Sequence, residues 1–355
     1  MSKTPCLLVM AGGTGGHIFP ALAVAQHLKE LGWEVQWLGT KDRMEATLVP
    51  QYGIKINFIE VQGLKGKGLT RLLSAPLMLL KAIFQAKKVI NTVKPDVVLG
   101  MGGYVSGPGG VAAYLSKTPL LIHEQNGVAG VTNKWLSYIA TEVMQAFGSA
   151  FLESKAKTVG NPVRKELFSL PSIEERYLPR KDKLLILVIG GSQGAKILND
   201  TIPFVAKALE ESTIFYHQVG KNNFDKVKEK YDELGVKQYE IHEFINDMEK
   251  AYLNADLVIC RSGALTVSEL AVVGLPAIFV PFMHKDNQQL HNAKWLANNG
   301  AAIIVEQNVL TTDKLIQIIH ELDREKLIEM AHKSKAQVQK NATELVANKL
   351  IEIKK

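Results

Sequence analysis

The residues best suited to chemistry lie in one stretch of the second half of the chain, Ala255–Glu269, where a short apolar run ends in polar and charged side chains. Arg261 supplies a fixed positive charge and Ser262 a hydroxyl. Because a helix predicted to begin after this turn offers unpaired backbone N–H groups, the turn favours a phosphate or a leaving diphosphate. Glu269 could accept two ribose hydroxyls. The alternative is that Ser262 only caps the helix and Glu269 is a solvated acid.

Two residues of the first half are candidates for acid or base chemistry. His17 ends a glycine-rich stretch that follows an apolar run, and an unperturbed imidazole titrates near neutral pH. The alternative is a histidine that only caps the backbone. Glu124 is the second candidate base, and Asn126 beside it could bind a polyhydroxylated ligand. Both follow another apolar run, at a strand end where open α/β sheets bind ligands.

Glycine-rich loops follow predicted strands at several points. The first contains Thr14, Gly15 and Gly16, and a second spans Gly100–Gly110. Such loops let backbone N–H groups converge on an anion, although close helix packing alone could also require the glycines. The first loop departs from the G-x-G-x-x-G fingerprint and no acid stands at the tip of the next strand, so a nicotinamide dinucleotide is disfavoured, although Asp42 lies nearby.

Strands and helices alternate along both halves of the chain, which predicts two parallel α/β sheets with helices on both faces and a ligand crevice between the halves. The charged, proline-containing stretch 165–183 predicts a linker between them. In the first half we expect strands at 7–10, 35–38, 97–99, 120–122 and 143–147, with a helix over 20–31. In the second half we expect strands at 184–189, 214–218, 239–245, 257–260 and 277–281, and helices over 196–209, 265–273, 290–298 and much of 311–355.

One segment of the first half combines apolar residues with unopposed cations. Between residues 62 and 94 there is no acid, and the cations are Lys65, Lys67, Arg71, Lys81, Lys87, Lys88 and Lys94. Leucines, Met78, Ile83 and Phe84 are interleaved with them, as in a protein that lies on an anionic bilayer. A core helix with a basic polar face would show the same pattern. Pro76 is expected to break the segment.

Composition narrows the class of protein. A chain of 355 residues predicts two domains, and 46% apolar with 22% charged residues is typical of a globular protein. The net charge of +7 favours a negatively charged partner without choosing among nucleotide phosphates, anionic lipid and nucleic acid. Cys6 and Cys260 are expected to be buried free thiols of a cytoplasmic protein. No stretch reaches the length of about 18 apolar residues that predicts a membrane span.

No D-x-D pair or other divalent-metal spacing occurs in the sequence, so a nucleotide diphosphate is expected to be neutralised by Arg261, backbone N–H groups and a helix dipole. Gln288 and Gln289 could donate to and accept from sugar hydroxyls, although a polar helix start at the surface would look similar. These features favour a metal-independent nucleotide-sugar enzyme. Fold alone cannot separate a transferase from a hexosamine epimerase.

The motifs, in collinear order over nearly the whole chain, resemble those of the MurG family. They are Gly12–His17, Gly100–Pro108, His123–Asn126, Gly160–Arg164, Gly190–Gly194, Arg261–Glu269 and His284–Gln289. The family transfers N-acetylglucosamine from its UDP donor to undecaprenyl-pyrophosphoryl-N-acetylmuramoyl-pentapeptide, giving lipid II of peptidoglycan. The resemblance implies an inverting glycosyltransferase of GT-B architecture, with two Rossmann-like parallel-sheet domains facing across a cleft and no cofactor. The alternative is an isomerase similar to UDP-N-acetylglucosamine 2-epimerase.

The resemblance also implies roles for individual residues. Glu269 would hold the ribose, the Ile245 backbone would lie near the uracil, and Ser192 and Arg261 would lie at the diphosphate. The start of the helix would contribute Ala264, Leu265, Thr266, Val267 and Ser268. The donor sugar would be held by Gln288 and Gln289, with Asn126 and Arg164 reaching from the other side. Thr14, Gly15 and Gly16 would belong to the loops that bind the acceptor diphosphate. His17 is the first choice for the base, ahead of Glu124, because its resting pKa lies nearer neutrality.

The expected domains are residues 1–163 for acceptor and membrane binding, 164–340 for UDP-N-acetylglucosamine, and a C-terminal helix, 341–355, that could pack back on the first domain. Expected partners are the two substrates and the anionic surface of the inner membrane on its cytoplasmic face, with no nucleic acid and no bound metal.

Overall fold

The computed structural model describes residues 3–61, 69–178 and 183–355, and the side chains of 69–74 are not among those described. Two compact units make up the chain, one of residues 1–164 and 339–355 and the other of 165–338. Each unit contains one parallel sheet. The predicted α/β class with two Rossmann-like parallel sheets is confirmed.

The ten predicted strands lie close to their predicted positions, and three further strands, at 55–58, 157–158 and 302–304, were not predicted. The described strands are β1 (Cys6–Met10), β2 (Glu34–Gly39), β3 (Lys55–Phe58), β4 (Val97–Gly100), β5 (Leu120–Glu124), β6 (Glu142–Gln145), β7 (Lys157–Thr158), β8 (Leu184–Ile189), β9 (Thr213–Gln218), β10 (Tyr239–His242), β11 (Leu257–Cys260), β12 (Ala277–Phe279) and β13 (Ala302–Ile304).

The described helices alternate with these strands. They are α1 (Gly15–Glu30), α2 (Met44–Leu48), α3 (Leu69–Val93), α4 (Ser106–Leu115), α5 (Val131–Leu136), α6 (Ile173–Tyr177), α7 (Lys196–Ala208), α8 (Phe224–Glu233), α9 (Met248–Asn254), α10 (Ala264–Val273), α11 (Gln288–Ala297), α12 (Thr312–His320), α13 (Arg324–Ala336) and α14 (Ala342–Ile353). Short 3₁₀ turns cover Val49–Tyr52, Lys165–Ser169 and Gln307–Val309.

The first sheet has seven strands in the order β3-β2-β1-β4-β5-β6-β7, all parallel. Because the order reverses between β1 and β4, the connections that follow these two strands leave the sheet in opposite directions and open a crevice at their carboxyl ends. The two glycine-rich loops of the first unit follow these two strands. The topology therefore places the two loops next to each other at the carboxyl ends of β1 and β4.

Alternate residues of β1 supply the two cores of the first unit. Leu7 and Val9 pack with α1 and with α14, whereas Leu8 and Met10 pack with residues of α3, α4 and α5 on the opposite face. This period of two follows from the pleat of a strand buried on both faces. Residues 339–355 thus return from the second unit and complete one core of the first.

The second sheet has six parallel strands in the order β10-β9-β8-β11-β12-β13. Its order reverses between β8 and β11. The loop Gly190–Ala195 follows β8, and the turn Arg261–Gly263 follows β11. A second crevice is therefore formed by the same topological rule.

The predicted linker is wrong for its described residues, 165–178. They fold onto the second unit as a 3₁₀ turn and α6, with Tyr177 fully buried and its hydroxyl donating to the Asp256 carbonyl at 2.7 Å. Buried Arg176 donates to the carbonyl oxygens of Val273 and Gly274 at 2.6 and 3.1 Å. The sequence predicted a linker because the carbonyl partners of Arg176 are distant in sequence and leave no local pattern.

Helix α3 differs from its prediction in one respect, since it continues through Pro76. A proline inside a helix removes one backbone hydrogen bond, and tertiary packing maintains the helix here. Its buried positions include Ala82, Ala86 and Ile90, and its exposed ones include Leu77 and Phe84. The large apolar side chains of Leu77, Leu79, Leu80 and Phe84 therefore do not lie in the core.

Candidate active site

The first glycine loop runs straight from β1 into α1. The helix begins at Gly15, so His17 lies in its first turn and the predicted start near residue 20 is wrong. Because glycine and threonine have low helix propensity, the sequence pattern did not predict this first helical turn. Thr14 occupies the N-cap position without a side-chain capping bond. The His17 N–H donates to the Thr14 carbonyl at 3.1 Å, so the N–H groups of Gly15 and Gly16 are the first-turn donors that could face an anion.

The second glycine loop packs directly on the first. Gly102 and Gly103 have φ angles of +95° and +81°. A Cβ on Gly103 would lie 2.3 Å from the Gly12 carbonyl oxygen, and one on Gly102 would lie 2.9 Å from Cδ2 of His17. Both the left-handed backbone and the close approach therefore require glycine. The buried Ser106 hydroxyl lies 2.7 Å from the Gly102 carbonyl oxygen and holds the loop in place.

His17 has the surroundings expected of a base that works near neutral pH. Burial lowers the pKa of His17 below its ordinary value, while the negative charge of Glu124 and a hydrogen bond to the Gly12 carbonyl oppose that effect. Its Nδ1 lies 3.4 Å from the Thr14 hydroxyl. A neutral imidazole held between two glycine loops can accept a proton from a ligand bound there.

Glu124, the second candidate base, is buried and accepts four hydrogen bonds. Oε1 accepts from the backbone N–H and the side-chain amide of Asn126 at 3.0 and 3.1 Å. Oε2 accepts from the Gly130 N–H and the Asn133 side-chain amide, each at 3.0 Å. A carboxylate held in this way orders the loop 126–130 and places a negative charge near His17. This geometry favours His17 as the proton acceptor.

His123, next to Glu124, is buried and has a structural environment. Its Nε2 lies 2.9 Å from the Gly160 carbonyl oxygen, and its Nδ1 lies 3.1 Å from the Gln125 side-chain amide nitrogen. A carbonyl oxygen only accepts, so Nε2 carries the proton and Nδ1 accepts from the amide. Burial lowers the pKa of His123 to about 4. The residue is neutral near pH 7 and joins β5 to the segment at Gly160.

Glu45, on α2, is a site residue that sequence reasoning missed. Its side chain is fully buried, and Oε1 accepts from the Thr40 backbone N–H and hydroxyl at 3.1 and 2.8 Å. Oε2 accepts from the Gly13 N–H at 3.0 Å. A Cβ on Gly12 would lie 2.6 Å from Oε1, so the carboxylate packs against the backbone of the first glycine loop. No local motif marked this acid, because its partners are backbone groups.

Arg164, expected to contact the donor sugar, lies beside the start of α1. Its guanidinium carbon is 5.8 Å from the centre of the Phe19 ring, within the range of a cation–π contact. The Phe19 ring in turn packs against Gly15, where an added Cβ would lie 3.0 Å from Cε2. The first unit therefore collects Thr14, Gly15, Gly16, His17, Glu124, Asn126 and Arg164 around the strand ends and the start of α1.

In the second unit, the turn after β11 adjoins the loop after β8. The Arg261 N–H donates to the Ile189 carbonyl at 3.4 Å, and Ser192 is exposed in the neighbouring loop. Helix α10 begins at Ala264, one residue before its predicted start, with Gly263 at its N-cap. Its first turn contains Leu265, Thr266, Val267 and Ser268. Ile245 is buried in the segment that follows β10.

The guanidinium of Arg261 is held by protein acceptors. Nη1 donates to the carbonyl oxygens of Val280 and Pro281 at 2.9 and 3.2 Å, and Nη2 donates to Gln307 Oε1 at 2.7 Å. The guanidinium carbon also lies 5.4 Å from the centre of the Phe282 ring. These contacts fix the charge beside the start of α10.

Glu269 is buried in α10, and its Oε2 accepts from the Tyr252 hydroxyl at 3.0 Å. The alternative of a solvated acid is therefore wrong. Ser268, also buried, donates to the Ala264 carbonyl at 3.0 Å. Tyr252 lies on α9 and was not among the predicted site residues. A tyrosine hydroxyl that fixes one carboxylate oxygen would orient Glu269 for a ligand.

The two glutamines at the start of α11 are tied to the Arg261–Gly263 turn. Ser262 Oγ donates to the Gln289 carbonyl at 2.8 Å, and the Asn292 side-chain amide donates to the Ser262 carbonyl at 3.1 Å. Gln289 Oε1 accepts from the Phe282 N–H at 2.9 Å, and Gln288 is half-buried. The alternative that Ser262 only caps α10 is therefore wrong, because the N-cap is Gly263 and the Ser262 hydroxyl instead joins the turn to the glutamines.

Residues 3–61, 69–178 and 183–355 contain no cluster of three or more His, Cys, Asp or Glu side chains arranged to hold a metal ion. Within the same ranges, no helix has the length and apolar character that crossing a bilayer requires.

Comparison with known proteins covers both units. Residues 7–145 match the glycosyltransferase family 28 N-terminal domain, and residues 185–347 match the family's C-terminal domain. A curated protein of Mannheimia succiniciproducens is 56% identical over 99% of both chains. Its name is UDP-N-acetylglucosamine–N-acetylmuramyl-(pentapeptide) pyrophosphoryl-undecaprenol N-acetylglucosamine transferase.

Solved structures agree with these matches. The crystal structure of Acinetobacter baumannii MurG is 42% identical, with a TM-score of 0.86 over 98% of this chain and 99% of that one. A UDP-GlcNAc 2-epimerase of Neisseria meningitidis is 16% identical over 98% of this chain and 100% of that one, with a TM-score of 0.69, and shares the fold alone. The chain has GT-B architecture and belongs to the MurG family of glycosyltransferases.

Proposed function

We propose that this chain transfers N-acetylglucosamine from UDP-N-acetylglucosamine to the 4-hydroxyl of lipid-linked N-acetylmuramoyl-pentapeptide, giving lipid II for peptidoglycan synthesis. The observation that carries the proposal is the 56% identity, over 99% of both chains, to a transferase named for this reaction. The epimerase alternative is supported only by a distant similarity of fold.

The second unit, in this proposal, binds the donor. The Arg261 charge, the N–H groups at the start of α10 and the loop containing Ser192 suit a diphosphate that leaves as UDP. Glu269, oriented by Tyr252, would accept the ribose hydroxyls, with the backbone at Ile245 near the uracil. Gln288 and Gln289 would hold the sugar.

The first unit, in this proposal, binds the acceptor. Its glycine loops at Thr14–Gly16 and after β4 would hold the acceptor diphosphate through backbone N–H groups. His17 would take the proton from the acceptor hydroxyl as that oxygen attacks the anomeric carbon and UDP leaves. A single displacement of this kind converts an α-linked donor into a β-linked product. The charge of Glu124 would support the positive charge that forms on the imidazole.

We also propose that α3 holds the enzyme on the anionic, cytoplasmic face of the inner membrane, where the acceptor's lipid tail lies. Leu77 and Phe84 are 72% and 70% exposed, so these two side chains do not lie in the core. Lys87 and Lys88 lie on the same helix. Lys81 is not unopposed, because its ammonium group pairs with Glu60 at 2.7 Å. Residues 62–68, and the side chains of 69–74, lie outside the described part of the predicted segment.

The membrane proposal predicts reversible, salt-sensitive binding, because each exposed cation contributes only about 1 kcal/mol near an anionic surface. Replacing Leu77, Leu79 and Phe84 with serine should release the protein from anionic vesicles in a sedimentation assay and leave its Tm nearly unchanged. Ile90→Ser, at a buried position of the same helix, is the matched control and should lower the Tm instead. Unchanged vesicle binding by the triple variant would place the membrane contact elsewhere.

The transferase activity is tested by mixing UDP-N-acetylglucosamine with a lipid-linked muramoyl acceptor and following UDP release. Release that depends on the acceptor and yields the disaccharide product supports the proposal. Formation of N-acetylmannosamine without acceptor would instead support the epimerase.

A further inference from the structure

Three neighbouring strands of the second sheet bring their carboxyl ends together around the guanidinium of Arg261. Strands β11, β12 and β13 are parallel and paired side by side. Arg261 directly follows β11, Val280 and Pro281 follow β12, and Gln307 begins the 3₁₀ turn after β13. Because the carboxyl ends of parallel strands meet at one edge of a sheet, residues distant in sequence converge on this cation.

The side-chain amide of Gln307 can face Arg261 in only one orientation. Gln307 Oε1 accepts from Nη2 of Arg261 at 2.7 Å. A guanidinium only donates, so the amide oxygen and not the amide nitrogen must lie against it. The other two acceptors are the backbone carbonyl oxygens of Val280 and Pro281. Among the described hydrogen bonds of this guanidinium, the bond to Gln307 is therefore the one that depends on the identity of a side chain.

All three acceptors of Arg261 are neutral. The ion pairs of the second unit, taken over the residues that the structure describes, do not include Arg261. The three bonds occupy at most three of the five N–H groups of a guanidinium, so at least two can donate to a ligand. Neutral acceptors fix the orientation of the cation without cancelling its charge, whereas a carboxylate in the same place would cancel much of it.

The acids nearest in sequence to these acceptors are placed elsewhere. Glu306 precedes Gln307 in the chain and is exposed. Asp286 pairs with His284 at 2.7 Å. Neither carboxylate accepts from Arg261 among the described hydrogen bonds. An amide at residue 307 therefore leaves the cation with its full charge.

We infer that Gln307 is a positioning residue that orients Arg261 toward the donor diphosphate and, because it is neutral, preserves the positive charge that a leaving UDP requires. This inference deepens the proposed function, because it assumes that Arg261 lies at the diphosphate. It assigns a role in stabilising the leaving group to a side chain that acts through Arg261.

The test is Gln307→Glu, which keeps the size of the side chain and places a carboxylate beside the guanidinium. Because the new ion pair cancels much of the charge of Arg261, UDP binding in calorimetry should weaken by about 10- to 100-fold. Binding of uridine, which carries no phosphate, should stay unchanged. The Tm should not fall, since the variant gains a charge-assisted bond. A purely structural role of Gln307 predicts a lower Tm and equal effects on UDP and uridine.

Two controls isolate the contact with Arg261. Asn308→Asp adds the same charge one residue further along, at an exposed side chain with no described bond to Arg261. Its UDP affinity should stay within about threefold of the wild type, because an exposed charge is screened by salt. In an Arg261→Leu background, Gln307→Glu should weaken UDP binding no further, as a double-mutant cycle requires of two residues that act together.

Three results would overturn the inference: unchanged UDP affinity of Gln307→Glu, an equal loss in Asn308→Asp, or the same loss in the Arg261→Leu background. If Gln307→Glu does not fold, Gln307→Met, which removes the acceptor without adding a charge, must weaken the binding of UDP and leave that of uridine unchanged. Calorimetry uses no acceptor substrate, so the inference can fail while acceptor-dependent UDP release succeeds. A wild-type chain that binds no UDP would contradict the proposed function itself.

Discussion

The contact between Gly102 and His17 gives the most direct test of how the two glycine loops position the base. An alanine at residue 102 would place a Cβ 2.9 Å from Cδ2 and 3.0 Å from Nε2 of His17. Carbon atoms pack best at about 3.5–4.0 Å, so either the ring or the loop must move by about 0.5–1 Å. The substitution therefore displaces the base without removing it.

The expected loss of rate follows from that displacement. A shift of about 1 Å in a reacting group costs about a hundredfold in rate, so Gly102→Ala should lower kcat by roughly 10- to 100-fold. The positive φ of +95° adds a separate cost of about 1–2 kcal/mol to the folded state, because alanine is strained in this conformation. Donor affinity should change little, because the donor is assigned to the second unit.

Gly32→Ala separates the two effects. Gly32 has a similar φ of +84° at the end of α1, but an added Cβ there would have no neighbour within 4 Å. Both variants should have a similarly lowered Tm in a thermal melt. Only Gly102→Ala should have a lower kcat in a UDP-release assay with saturating donor and acceptor. A Gly102→Ala enzyme with kcat within threefold of the wild type would refute the argument that this glycine sets the position of His17.

The remaining predictions concern the base, the ribose and the metal. His17→Ala should lower kcat by about a hundred- to ten-thousand-fold with donor affinity almost unchanged; a loss below tenfold would move the role to another group. Because burial lowers the pKa of His17 from its ordinary value of 6.5, kcat/KM of the wild type should stay level around pH 7 and fall with acidification only below that value. Glu269→Ala should weaken UDP binding by about 2–4 kcal/mol in calorimetry, whereas Tyr252→Phe, which leaves the carboxylate, should weaken it less; equal affinity of Glu269→Ala and wild type contradicts the ribose assignment. Turnover should survive EDTA, and complete loss that magnesium or manganese restores would show that the donor site uses a metal.

Sequence patterns located the strands that are short apolar runs buried on both faces, and missed β3, β7 and β13, which are short and partly exposed. Leu184–Ile189 and Leu257–Cys260 have the predicted bounds. Sequence patterns also located the glycine loops. At positions such as Gly102 and Gly103, a left-handed backbone and a close neighbouring atom allow no residue other than glycine. The first helix began five residues earlier than predicted because its opening turn is made of residues that disfavour helices elsewhere.

Other features depended on partners that are distant in sequence. Glu45 contacts Thr40 and the Gly13 amide, and Tyr252 contacts Glu269. Neither pair forms a motif with fixed spacing, so no sequence signal could identify them. Arg176 belongs to the charged stretch that was predicted to be a linker. In the structure its guanidinium donates to carbonyl oxygens at the end of α10. Backbone acceptors are available everywhere in a chain, and only the fold determines which one an arginine reaches.

The two crevices show how one topology can serve opposite electrostatic needs. Each lies where the strand order reverses, and each is lined by a glycine-rich loop from one strand and a turn from its neighbour. The first unit places the buried carboxylate of Glu124 near His17, and its charge opposes the effect of burial on the group proposed to accept a proton. The second unit places Arg261 beside the start of α10, which suits a group that leaves with negative charge. Exchanging these charges would oppose both steps, since a cation beside His17 would weaken the base and a carboxylate at the start of α10 would repel the leaving diphosphate.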